Sequence, residues 1–125
     1  MNPDITSRKD LHLIVKTFYK DLLIHQELAP FFEDFKDDHK LKAHLEILVD
    51  FWDNTLFYSG TYTKNAIRPH IEIHENKKIS ARHFETWLNL FNKAVDQNFE
   101  GLHATTIKNR AHSIATVMRI KLKAQ

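Results

Sequence analysis

The chain has 125 residues, 42% hydrophobic and 27% charged, and carries a net charge of +2 with histidine neutral, the size and balance of one domain with a real core. Its cations are spread along the sequence and are densest at Arg119–Lys123, so no clustered basic face points to nucleic acid. The absence of cysteine excludes disulfides, cysteine-zinc sites, thiol catalysis and iron–sulfur clusters.

The stretch Met1–Asp10 is polar, which argues against a signal peptide. No apolar run approaches the ~20 residues that span a bilayer. The expectation is a cytoplasmic protein with no membrane partner. Two glycines and three prolines are too few for the tight turns of a sheet protein.

The first helix is expected from about Ser7 to His25. Ser7 can cap it, with Asp10 at the capping-box distance. Leu11, Ile14, Val15, Phe18 and Leu22 recur with helical spacing and form one buried face. Leu28-Ala-Pro30-Phe-Phe32 reads as a turn and a short helix, interrupted by Pro30. Asp37-Asp38 opens a second long helix, acidic at the end that favours anions. Its stripe is Leu41, His44, Leu48, Phe51, Trp52, Thr55 and Leu56, and it ends near Tyr58–Gly60. Ala66–His74 reads as a short helix between two loops. Ser80 caps the next long helix, with Phe84, Trp87, Leu88, Phe91, Ala94, Val95 and Phe99 on one face. After Gly101 a last helix carries Ile107, Ala111, Ile114, Ala115 and Met118. The class is all-α, and periodicity alone fits either an up-down bundle or a globin-like crossing of helices.

Five polar-tipped rings stand within or beside these stripes: Tyr19, His44, Trp52, His70 and Trp87. One histidine holding a metal on one side, with Tyr, His and Trp donors on the other, is what a haem pocket requires. Each ring also has a plainer reading. His44, Leu48 and Trp52 follow at i, i+4, i+8 and share a face, as a half-buried histidine above two core residues also would. Tyr19 and Trp87 read equally as core rings whose polar atoms find a partner at the edge. His70 and His74, at i, i+4, could ligate one metal together. His70-Ile-Glu-Ile-His74 is not H-E-x-x-H, so a zinc protease does not follow. Nor do Glu72, Glu75 and Glu85 supply the Glu-x-x-His pairs of a di-iron bundle. His12, His25, His39, His83, His103 and His112 form no second metal-like cluster and read as surface or helix-end groups. No G-x-S-x-G or glycine-rich phosphate loop occurs.

Taken together, the chain resembles the group III truncated haemoglobins from about Asp10 to Lys121. The resemblance rests on Phe18-Tyr19-x-x-Leu22-Leu23, Leu28-x-Pro30-x-Phe32, His44 and Asp50-Phe51-Trp52. It continues with Tyr62, His70 eight residues later, His83-Phe84-x-x-Trp87-Leu88-x-Leu90-Phe91 and Arg110-Ala111-x-x-Ile114-Ala115. It implies a single shortened globin domain, a two-over-two helical sandwich around one haem. With no C-x-x-C-H, that haem is of the b type, non-covalent, with its iron held by coordination and packing alone. The family pattern makes His70 the iron ligand, Tyr19 the principal distal donor, His44 the distal histidine and Trp87 the indole over the distal pocket. Trp52 packs near the haem edge, and Phe18, Leu48, Phe51, Phe84 and Leu88 are apolar haem contacts.

Tyr62-Thr63-Lys64-Asn65-Ala66 departs from the family's Y-x-G-N-P, and the His70–Trp87 stretch is longer than in some members, which leaves His74 as a competing ligand. The resemblance further implies dioxygen, nitric oxide or another diatomic ligand, and a reductase as electron donor. Two or three distal donors would retain oxygen longer than transport requires, which favours nitric oxide dioxygenation or peroxide chemistry. The residues also allow a haem-free helical module that uses His70 and His74 for metal binding or interaction.

Overall fold

A computed structural model describes residues 2–57 and 79–121. Among them lie four α-helices, α1 (Arg8–Leu22), α2 (Asp38–Phe57), α3 (Ala81–Asp96) and α4 (Leu102–Lys121), with a 3-10 helix at Ala29–Lys36. No strand occurs among the described residues. The short helix expected at 66–74 lies outside them.

The apolar stripes explain the packing. In α1, Leu11, Ile14, Val15, Phe18, Tyr19 and Leu22 are all buried, as the spacing predicts. That face meets both α2 and α3, α3 packs along α4, and α2 touches α4. Two helix pairs thus lie one over the other around a common core, which is the two-over-two arrangement. In α2 the buried residues are Leu45, Val49, Trp52 and Leu56, of which Trp52 and Leu56 belong to the predicted stripe. Leu41, His44, Leu48 and Phe51 are only half-buried. The helix therefore presents two adjacent apolar faces, one to the core and one to a cavity.

α1 stops at Leu22 rather than His25. The His25 ring turns back and its Nδ1 accepts the amide N–H groups of Glu27 (3.1 Å) and Leu28 (3.4 Å), which favours a turn over another helical residue. Both predicted caps form. The Asp10 amide donates to Ser7 Oγ at 3.3 Å. At α3 the His83 amide donates to Ser80 Oγ, and the Ser80 amide donates to His83 Nδ1 at 2.9 Å. This is a capping box with histidine where Glu or Gln usually stands.

The cap of α4 comes from the far end of the chain. Asp4 accepts the amides of His103 and Ala104, each at 2.9 Å, and that of Ile5 at 2.8 Å. His103 Nδ1 lies 2.7 Å from the Ile5 carbonyl. Gly101, at φ +139°, makes this approach possible, since a Cβ there would sit 2.6 Å from Asp4 Cγ. Nearby, Arg8 bridges from α1 to Glu46 (3.3 Å), Asp50 and Asp53 (3.4 Å) on one face of α2. With Arg8 at 41% exposure, each pair contributes less than about 1 kcal/mol and chiefly sets register.

Burial of Asp4 opposes its charge, but the His103, Ala104 and Ile5 amides outweigh that and hold its pKa below the usual aspartate range. A depressed carboxylate stabilises the fold fully above its unfolded value of about 3.9, and that stability is lost as pH falls through the lower folded value. Asp4→Ala is expected to lose about 1 kcal/mol at neutral pH, with the difference from wild type narrowing as pH falls below the ordinary aspartate range. Gly101→Ala is expected to lose about 1–3 kcal/mol. Urea denaturation across the pH range checks both.

Candidate functional site

A cavity of about 240 Å³ opens between the four helices. From α1 it is lined by Val15, Phe18 and Tyr19, and from α2 by Leu48, Phe51 and Trp52. From α3 come Trp87 and Phe91, and from α4 Arg110, Ser113, Ile114, Val117 and Met118. An aromatic row builds one wall. Trp52 stacks on Phe91 (5.4 Å between centroids, 26° between planes), and Phe91 stacks on Trp87 (5.9 Å, 10°). Phe18 meets both Phe91 and Trp87 edge-on at 5.3 and 5.5 Å. Such pairs are worth about 0.5–1.5 kcal/mol beyond their burial, so the wall is rigid.

Tyr19 is the buried polar tip of this cavity, 2% exposed. Its hydroxyl lies 2.7 Å from His44 Nε2. The Phe35 ring stacks on the imidazole at 4.2 Å and 14°, and Phe32 and Phe35 both meet the Tyr19 ring edge-on at 6.0 Å. Burial pushes the Tyr19 phenol well above its ordinary pKa, so it stays protonated and carries one hydrogen to give. His44 borders Tyr19 rather than the cavity and acts on the cavity through the phenol. Trp87 makes no hydrogen bond among the described residues, which leaves its indole N–H available. A second cavity of about 20 Å³ lies behind Trp87, lined by Leu28, Phe31, Phe32, Ile79, His83, Phe84 and Trp87.

The structure thus gathers Phe18, Tyr19, Leu48, Phe51, Trp52 and Trp87 on one cavity, with His44 attached through Tyr19. Phe84 borders the second cavity, and Leu88 packs against the core beside them. His70, His74 and Tyr62 lie outside the described residues. Among the described residues no three His, Cys, Asp or Glu side chains converge as a metal site. Sequence reasoning missed the α4 wall. Arg110, Ser113 and Val117 are exposed residues at i, i+3, i+7, a spacing that reads as an ordinary solvated face. It also missed Phe35, whose role depends on where the 3-10 helix lays it.

The donor chemistry can be tested against haem. The lining is almost wholly rings and aliphatic side chains, as a flat apolar macrocycle needs. Its polar groups are the Tyr19 phenol, held protonated, the unspent Trp87 indole N–H, and Arg110 and Ser113 of α4; the first two suit a partly negative ligand. The residues present fit the group.

This arrangement of helices around an aromatic cavity defines a globin of the shortened kind. Residues 4–123 match the bacterial-like globin family, and the chain belongs to it. Its fold is similar to the crystal structure of the group III truncated haemoglobin from Campylobacter jejuni. The TM-score is 0.85 at 22% identity, over 98% of this chain and 95% of that one. No curated protein matches the sequence. Among the described residues no helix is long and apolar enough to cross a membrane.

Phe91 touches all three other rings of the wall, so Phe91→Ala is expected to lose about 3–5 kcal/mol. Phe91→Leu, which keeps most of the volume, should lose markedly less. Chemical denaturation of both variants measures the difference.

Proposed function

We propose that the chain holds one non-covalent haem, with His70 as its iron ligand, and binds a diatomic gas beside Tyr19. The single observation that carries this is a buried, protonated Tyr19 phenol on the wall of an apolar aromatic cavity, backed by His44 at 2.7 Å. Membership of a globin family supports it. The Campylobacter jejuni protein is named a truncated haemoglobin, which agrees. A bound haem would supply the iron at which the gas is held, and His70 would be the residue that ligates it.

The chain's own residues decide how the gas is held. A gas that gained negative charge in this cavity would meet the Tyr19 O–H and the Trp87 N–H as donors. Tyr19 has one hydrogen, so it cannot donate to both His44 and the gas. When the site is filled, His44 carries its proton on Nε2 and donates to the phenol oxygen, and the phenol donates into the cavity. When the site is empty the phenol is free to donate to a bare His44 Nε2. The Phe35 ring stacked on His44 keeps the imidazole in place through this exchange.

Two donors on one gas retain it. The function this supports is reaction rather than carriage: nitric oxide dioxygenation or peroxide turnover, with a reductase returning electrons.

The absorption spectrum of the purified protein, repeated after haem is added, should show a Soret band. An unchanged band in His70→Ala rejects His70 as the iron ligand. Oxygen dissociation should quicken about tenfold or more in Tyr19→Phe, the worth of one hydrogen bond to a charged acceptor, and should also quicken in Trp87→Phe. Rates unchanged in both variants sink the donor assignment.

A further inference from the structure

The main cavity has a wet side and a dry side. Of the described residues that line it, Arg110, Ser113 and Val117 are exposed. They follow at i, i+3 and i+7, one row along α4. Val15, Phe18, Tyr19, Trp52 and Phe91 are buried. The mouth of the cavity is therefore on α4, and its dry floor lies against α1 and the ring wall.

Arg110 is the one charged side chain among the described lining residues. Other cations of the fold are spent on carboxylates. Arg8 bridges to Glu46, Asp50 and Asp53, Arg82 to Glu27 at 2.7 Å, and Lys108, two residues before Arg110, to Asp96 at 2.7 Å. Arg110 has no such partner among the described residues. An arginine at a cavity mouth lays its stem on apolar surface and keeps its head in water. Its planar fork matches a carboxylate with two parallel N–H donors. The Ser113 hydroxyl, next in the same row, is a further donor.

A cavity of this form selects a ligand with an apolar body and a carboxylate at the end that stays in water. Haem is such a ligand, a flat apolar macrocycle with two carboxylates on one edge. Turned the other way, those carboxylates would meet only the neutral donors of Tyr19 and Trp87, and a charge taken from water without a counter-charge is costly. We infer that Arg110 is a haem-binding residue, whose guanidinium holds a carboxylate of the porphyrin edge, with Ser113 beside it. This assignment rests on the haem reading above and adds an orientation to it: the polar edge at the α4 mouth, the apolar body toward the ring wall.

The test uses Arg110→Met, which keeps an apolar stem and removes the charged fork. Ferric holoprotein is mixed with an excess of an apoprotein that scavenges haem, and haem loss is followed at the Soret band. The same is done with the haem dimethyl ester, whose edge carries no charge. Arg110→Met should release haem about three- to tenfold faster than wild type, the range for an exposed ion pair of bidentate geometry. It should release the ester at nearly the wild-type rate. Added salt should quicken haem loss from wild type and change it little in the variant, because an exposed pair is screened. Arg119→Met removes an exposed α4 cation that does not line the cavity, and should leave haem loss unchanged.

Equal acceleration for haem and its ester overturns the inference, since Arg110 would then act through packing. No acceleration for haem overturns it as well. So does an equal acceleration in Arg119→Met, which would mark an effect of net charge alone. A wild type that shows no Soret band with haem overturns the haem reading itself, and is told apart from these outcomes at the first step.

Discussion

Phe91 is the contact on which the architecture turns. One ring, 1% exposed, meets Phe18 of α1 edge-on, stacks on Trp52 of α2 and stacks on Trp87 one turn earlier in α3. It closes three helices over the core and at the same time forms the back wall of the cavity. A globular interior usually fills such space. Here large rings stacked on one another hold the helices apart, because a ring stack is stiff and cannot collapse into the void as a flexible side chain would. Core and cavity are therefore two sides of one set of aromatic contacts.

The ends of the helices show a second constraint. α4 begins only after the chain has passed through α1, α2 and α3, yet its first amides are bound by Asp4. Gly101 exists in its left-handed conformation to let that carboxylate in. Arg8 then fixes α1 against α2 at Glu46, Asp50 and Asp53. The N-terminal residues thus clasp both helix pairs. That clasp sets the relative position of Tyr19 on α1 and His44 on α2, whose polar atoms must lie within hydrogen-bond reach.

Much of this was legible in the sequence. The α1 stripe from Leu11 to Leu22 is buried as its spacing predicts, and Ser7 and Ser80 cap the helices they precede. In α2 the legible stripe held two of the buried residues, Trp52 and Leu56, and missed the other two, Leu45 and Val49. Leu48 and Phe51 of that stripe face a cavity instead. Two apolar faces on one helix cannot be ranked by period alone. The α4 wall was illegible for the opposite reason. Arg110 and Ser113 are what a solvated face contains, and only the tertiary arrangement turns that face toward an opening. The Tyr19–His44 pairing spans 25 residues and follows from the way α1 crosses α2, which no local pattern encodes.

The two histidines beside the cavities illustrate how the same side chain acquires different chemistry. His83 is bonded to a backbone amide, a group that never changes direction, so its tautomer is permanent and its free N–H is a fixed feature of the fold. His44 is bonded to a phenol, which can donate or accept, so that bond leaves its tautomer open. A reversible donor suits a ligand that comes and goes, because the phenol's one hydrogen can turn to the ligand or back to the neighbour. Burial of Tyr19 makes this exchange workable: a phenol held protonated always has one hydrogen, and the only question is which partner receives it. The distinction between structure and function at this site lies in the partner each imidazole was given, an amide or a hydroxyl, more than in the imidazoles themselves.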